Sequence, residues 1–271
     1  MTGGPLVDTH CHLVLIEERG YLDEAVEAAV EAGVEQIVSV GLNLEDSERN
    51  QQIADRLPGV FFSVGWHPHE KAPPDGPQLA ALDELLGHPR AVAVGEVGLD
   101  RYWRPGYHET PLSVQRRSLQ AMLELAEGRD KPVIIHDRDA HAETLDELGA
   151  RPALRPLMHC FSGDATHAAR CLALGHVLSF AGTVTFRGSD GVRDAARGVA
   201  ADRYVVETDA PFLAPHPHRG KPNHPAYVAD TAGAIAAIRS VPIETVRAES
   251  SATARGFFAL PAGDRLGGGT A

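Results

Sequence analysis

The chain has no stretch of about 18 consecutive apolar residues, so no segment of it is expected to cross a membrane as a helix. Its beginning, MTGGPLVDTH, lacks a basic stretch followed by a long apolar run, so no secretory signal is expected. Cysteine is scarce. Cys11, Cys160 and Cys171 form no spaced framework and leave one thiol over, which suits a reducing compartment and points to the cytoplasm. Positive charge is also in short supply: 25 lysines and arginines stand against 37 acidic residues, a formal charge of −12. That balance excludes broad, sequence-independent coating of nucleic acid, which needs a basic face. It leaves room for a phosphate bound at one point, because bound cations dominate a local field whatever the net charge. No linker rich in Ser, Gly or Pro divides the 271 residues, and no repeat is visible. One domain is expected over residues 1–271, with a core from about residue 5 to residue 260 and flexible tails at both ends.

What the chain does have is an alternating rhythm. Short apolar, β-rich runs fall at Leu6–His12, Gln36–Val40, Val60–Gly65, Ala91–Val97, Pro132–His136, Leu157–Cys160, Val177–Ala181 and Tyr204–Thr208. Between them, helical periodicity marks Leu22–Ala32, Asp46–Leu57, Gln78–Leu86, Leu112–Glu127, Ala140–Leu148, Ala165–Leu174 and Asp190–Ala200, with two more helices near Ala226–Ile238 and Pro242–Phe258. Runs such as VAVGEV and YVVET are continuously apolar, as parallel strands covered by helices must be. Eight strand–helix pairs fit an α/β fold, the closed (β/α)8 TIM barrel. A doubly wound open sheet has the same rhythm, and periodicity does not separate the two.

The polar residues do more. The first strand ends VDTHCHL, and on a strand positions i and i+2 share a face, so His10 and His12 project together while Cys11 points away. Two imidazoles side by side make half a metal site. Asp8 falls on the same face, deeper, and is expected to be a buried structural partner. The same event recurs: AVAVGEV delivers Glu96, PVIIH ends at His136, PLMH at His159 and YVVETD at Asp209. A buried strand gains nothing structurally from a charge at its end, and an unpaired carboxylate there is costly. In a barrel these ends converge on the C-terminal face, where such folds keep their chemistry. Metal coordination by His10, His12, Glu96, His136, His159 and Asp209 is therefore expected. Four imidazoles favour zinc, cobalt, nickel or manganese, while carboxylates with water admit magnesium.

The segments VDTHCHL, GEVGLD, PVIIHDRDA, MHCFSG and VETDAPFLAP resemble the motifs of the TatD family of metal-dependent deoxyribonucleases, in the amidohydrolase-like superfamily. The resemblance runs from about Val7 to Leu260, and MHCFSG with ETDAP makes it specific. It implies a (β/α)8 barrel with two divalent cations on the same six residues, magnesium or manganese for turnover, and zinc as an alternative. Some related barrels bridge their metals with a carbamylated lysine, but Lys71, Lys131 and Lys221 terminate no strand, so Glu96 is the expected bridge. Asp209 is expected to accept a proton from the attacking water. The implied activity is 3′-to-5′ exonucleolytic cleavage of single-stranded DNA or RNA, with no obligate protein partner. An amidohydrolase, a lactonase or a D-aminoacyl-tRNA deacylase would use the same metal shell, and a non-catalytic metal-binding protein is a third reading. His67, Arg219 and Lys221 are candidate substrate contacts; His69 is weighed alongside His67, and Trp66, Tyr102 and Trp103 are weighed for base stacking against ordinary packing. The family's Lys-Arg-Asn-Glu-Pro stretch reads Lys221–Pro222–Asn223–His224–Pro225 here, which puts the contacts of that loop in question. Cys160 is expected to be buried on the opposite face from His159, and Asp100 to lie on a loop away from the metals.

Overall fold

A computed structural model describes residues 4–268 except Trp103 and Pro105. Strand β1 (Leu6–Cys11) is followed by α1 (Leu13–Glu18), α2 (Leu22–Glu31), β2 (Val34–Ser39), α3 (Leu44–Arg56) and β3 (Val60–Val64). Then come α4 (Gly76–Leu85), β4 (Ala91–Asp100), α5 (Leu112–Arg129), β5 (Val133–Arg138), α6 (His141–Gly149) and β6 (Pro156–Met158). The chain continues through α7 (Ala165–Ala173), β7 (Val177–Phe180), α8 (Asp190–Gly198), β8 (Tyr204–Val206), α9 (Val228–Arg239) and α10 (Ile243–Phe258). Each strand pairs in parallel with the next in sequence order. Closure comes from backbone bonds between β1 and the segment after β8: Asp209 N–H donates to His10 O at 2.9 Å and His12 N–H to Ala210 O at 2.7 Å. The open-sheet alternative is thereby excluded, and the fold is a (β/α)8 barrel.

Successive strand residues fall into two separate apolar clusters, as a pleat with a period of two requires. The larger joins the outer strand faces (Leu6, Ile37, Phe62, Val133, Met158, Val206) to the helices. The smaller joins strand residues (Val7, Val38, Phe61, Ile134, Leu157, Val205) inside the barrel to Ala254 and Phe258 of α10 and to Leu260. Local signals set the helix starts: the Asn43 side chain accepts from Asp46 N–H at the head of α3, and Asp75 with Gln78 forms a reciprocal cap on α4.

Three local expectations change. The short helix α1 was not anticipated; it has no side-chain cap and forms where Leu13, Val14 and Ile16 are buried. Strand β4 continues through Gly98 to Asp100, well past Val97. A side chain at Gly98, whose φ is +154°, would collide with the His136 carbonyl oxygen, so glycine lets β4 run on against β5. The described part of the C-terminal tail is anchored and not loose: Leu266 is buried, its N–H donates to Glu35 O at 2.7 Å, and Arg265 pairs with Glu35 at 3.0 Å. Residues 1–3 and 269–271 lie outside the described residues. Among the described residues no helix is long and apolar enough to cross a membrane.

Candidate metal centre

The C-terminal ends of the strands gather the six predicted residues. His10 and Glu96 lie within β1 and β4, His12 and His159 directly follow their strands, and His136 sits two residues before the end of β5. Asp209 stands three residues beyond β8, at φ +57°, held by the bond to His10 O. Gly65 makes room for Glu96: a side chain there would strike the Gly41 carbonyl and the backbone of Gly95 and Glu96.

One group of donors comprises His10, His12, Glu96 and Asp209. The two Nε2 atoms are 3.3 Å apart. Glu96 Oε2 is 3.4 Å from His10 Nε2 and 3.9 Å from His12 Nε2. Asp209 Oδ1 is 3.7 and 3.2 Å from the same two nitrogens. Four donors about 2.0–2.2 Å from a tetrahedral centre stand roughly 3.3–3.6 Å from one another, so this group is spaced to hold a cation. The other Glu96 oxygen, Oε1, faces a second group. It lies 2.6 Å from His136 Nδ1, 3.5 Å from His159 Nε2 and 3.6 Å from His67 Nε2. The His136 contact is a hydrogen bond as it stands, while the other two spacings suit shared coordination. Both donor groups recur among the sets of three able to hold an ion.

The electrostatics follow from this crowding. Burial works against ionising Glu96, but the charges of His159 and His67 and bonds from His10 and His136 outweigh it and hold the carboxyl well below its usual range. Burial also opposes charge on His159, which Glu207 and Glu96 overcome, raising it to about 10. For His136 burial is overcome by the hydrogen bonds it donates to Asp100 and Glu96, raising it to about 9. His67 goes the other way: burial dominates and pushes it down to about 4, so its ring is neutral at pH 7. Asp209 stays below its usual range because bonding to His12 and the charges of His159 and His10 outweigh burial.

Three further carboxylates, of which the sequence did not single out Glu207, pack behind these side chains. Glu207, fully buried, lies 2.8 Å from His159 Nδ1 and takes bonds from the Ser179 hydroxyl and the Cys160 N–H. It is the first residue after β8, so the stop of the apolar run at VVE was its signal, masked by Asp209 two positions on. Asp8 accepts from Thr208 N–H at 2.9 Å and its hydroxyl at 2.6 Å, as a structural partner should. Asp100 corrects the expectation. It is the buried last residue of β4, 3.2 Å from His136 Nε2 and 2.8 Å from His69 Nε2. Carboxylates behind metal-binding imidazoles orient them in this way.

A cavity of about 870 Å³ opens above the cluster, its wall including His12, His67, His136, His159, Arg104 and Arg138. Cys160 lines this cavity and is only partly buried, contrary to expectation, because β6 ends at Met158 and the chain turns at Cys160 with φ +42°. Arg219 lies further out: its guanidinium is 3.7 Å from the Phe186 ring centre and donates to Ala214 O. Lys221, Pro222 and His224 do not line the cavity, and His224 leans on Tyr227 at 3.9 Å. Trp66 is buried with its indole N–H on Ala72 O, and Tyr102 lies under Arg138 at 4.0 Å, so both pack as rim residues. Trp103 lies outside the described residues.

A (β/α)8 barrel that gathers imidazoles and carboxylates at its strand ends belongs among the metal-dependent hydrolases. The chain belongs to the family of TatD related DNases, whose profile matches residues 7–259. It is 34% identical over 258 residues to the metal-dependent hydrolase YabD of Bacillus subtilis (strain 168), covering 94% of this chain and 99% of that one. It is also 34% identical to the 3′-5′ ssDNA/RNA exonuclease TatD of Erwinia billingiae (strain Eb661), over 89% of this chain and 94% of the relative. The crystal structure of YjjV, a TatD homologue from Escherichia coli K12, superposes with a TM-score of 0.87 at 27% identity, covering 94% and 98% of the two chains.

Proposed function

We propose that the chain is a cytoplasmic 3′-to-5′ exonuclease acting on single-stranded DNA and RNA without an obligate protein partner. The observation that carries this reading is the placement of Glu96, whose two oxygens face two separate donor groups at the foot of an open cavity. On this reading His10, His12, Asp209 and Glu96 hold one divalent cation, and Glu96, His136 and His159 hold a second. Magnesium or manganese serves turnover, and the imidazoles also accommodate zinc. Such a pair supplies an activated water at neutral pH and steadies the attacking and leaving oxygens of a phosphodiester.

The chain's own residues do the rest. Glu96 would be shared between the two donor groups, and with Asp209 it would offset half the charge of two dications, leaving about +2 for a phosphate. Asp209 lines the cavity beside the first donor group and would be placed to accept the proton of an attacking water. His67 lines the cavity beside the second donor group, its Nε2 3.6 Å from Glu96 Oε1, as a contact for a phosphate oxygen or for the second cation. Arg104 and Arg138 lie on the cavity wall for the next phosphate, and Arg219 and Lys221 wait further along the strand's path. A volume of about 870 Å³ lies within the range of roughly 300–1,000 Å³ typical of small-molecule sites, enough for a terminal nucleotide. The Erwinia relative's name supports the same substrate.

The experiment offers a linear single strand, a circular single strand and a blunt duplex, each end-labelled or stained as its form requires, with magnesium and with manganese. Stepwise shortening of the linear strand alone is expected. Equal cutting of the circle refutes the requirement for an end. No cutting of any of the three, alongside hydrolysis of a lactone or an amide, transfers the site to acyl chemistry.

A further inference from the structure

Beside the Glu96 centre stands a second cluster that the nuclease reading does not use. His69 comes from the turn after β3, Asp100 ends β4, and His108 belongs to the segment leading into α5. His69 Nε2 lies 2.8 Å from Asp100 Oδ2, and His108 Nε2 lies 3.7 Å from Asp100 Oδ1. The two imidazoles stack at 4.2 Å with only 14° between their planes, and one donor atom from each of the three residues falls within 4.8 Å of the others. The arrangement is built and not incidental. Gln115 pins the Asp100 backbone from both sides, accepting from its N–H at 2.8 Å and donating to its carbonyl at 2.9 Å. Thr110 holds the His69 carbonyl at 2.9 Å.

Orienting His136 and His69 explains Asp100, but it does not explain His108. Only 9% of the His108 side chain is exposed, and among the described residues neither of its ring nitrogens has a hydrogen-bond partner. Burying a ring with two unpaired polar atoms is unfavourable unless something else meets them. Its Nε2 is aimed at a carboxylate oxygen from just beyond hydrogen-bond reach, at a separation that a shared cation would span.

We infer that His69, Asp100 and His108 form a third cation site, distinct from the pair of sites around Glu96. Two imidazoles and one carboxylate select a borderline divalent ion such as zinc, cobalt or nickel over magnesium. Three protein donors leave the fourth tetrahedral position free. His69 lines the cavity, so that position is available to an anionic oxygen of a bound strand. None of the three donors belongs to the six around Glu96, but Asp100 also stands 3.2 Å from His136 Nε2, so the test leaves Asp100 in place and alters only the two imidazoles.

The test counts zinc by plasma mass spectrometry in full-length protein saturated with zinc and then dialysed. Wild-type protein is expected to retain about three ions per chain and His108→Phe about two, since the phenyl ring keeps the stack on His69 and removes both nitrogens. His69→Gln attacks the site from the other side and is expected to lose one ion as well, which keeps the test open if the phenyl variant folds poorly by circular dichroism. The difference between wild type and variants reports this site, and the number left in the variants reports the Glu96 centre. Wild type and variants that hold the same number of ions overturn the inference.

Discussion

The two ends of the barrel bury charge in opposite ways. At the N-terminal end, three buried or half-buried charged or amide side chains close the backbone. Arg247 donates to Gly4 O and Ala32 O, Gln36 to Pro261 O and Asp264 O, and Lys131 to Ala91 O. At the C-terminal end the side chains face one another: imidazole meets imidazole and carboxylate at 3.2–3.9 Å, and among the described residues the far nitrogens of His10 and His12 have no partner. Groups that satisfy the backbone stabilise the fold. Groups held at ligand spacing with bonds left open are arranged for something not yet bound. Substitutions at the two ends should therefore separate cleanly, stability changing at one and metal content at the other.

The largest effect is expected from Glu96→Gln. An amide cannot bridge two cations as a carboxylate does, so metal is lost from both groups and turnover falls at least about 100-fold. The melting temperature of the metal-free protein should change far less. Measured metal content and rate that both stay near wild type would place the bridge elsewhere. Next comes Glu207→Gln, which weakens the hold on His159 without removing a ligand. Metal affinity should drop about 10–100-fold, the usual cost of losing a carboxylate behind a metal-bound imidazole, and a competition titration with a chelating dye reads it.

These two residues also mark how far the sequence could be read. The barrel and the six strand-end residues were legible because a continuous apolar run that stops at an ionisable group has few structural explanations. How the chain turns just past the strand ends, and what those turns bring into contact, was not legible. Cys160 was placed by extending the alternation of β6, but the strand stops at Met158 and the chain turns with a positive φ. Asp100 was taken for a loop residue because GLD reads as a turn, whereas Gly98 lets β4 pass close to β5 and carries Asp100 into contact with His136. Arg219 shows the same limit: its charge was visible, but not its stacking on Phe186. Long-range contacts decided each of these, and periodicity carries no record of them.

The comparison sharpens further at the other end of the molecule. Arg247→Ala strands the Gly4 and Ala32 carbonyls and empties the space beside Gly33, so unfolding free energy should fall by about 1–3 kcal/mol in a denaturant titration. Metal content per folded chain should stay unchanged. A parallel loss of metal would blur the division between the two ends. The smallest effect is expected from Arg219→Ala. Its guanidinium is occupied by Phe186 and Ala214, so KM for an oligonucleotide should rise less than about 3-fold with kcat unaffected, the signature of a remote phosphate contact.

The central claim is that Glu96 lies between two cations, and anomalous scattering from manganese- or zinc-soaked crystals tests it directly. Two peaks should flank the Glu96 carboxylate, one among His10, His12 and Asp209 and the other towards His136 and His159. A fully loaded crystal with no peak within coordination distance of Glu96 would contradict the account.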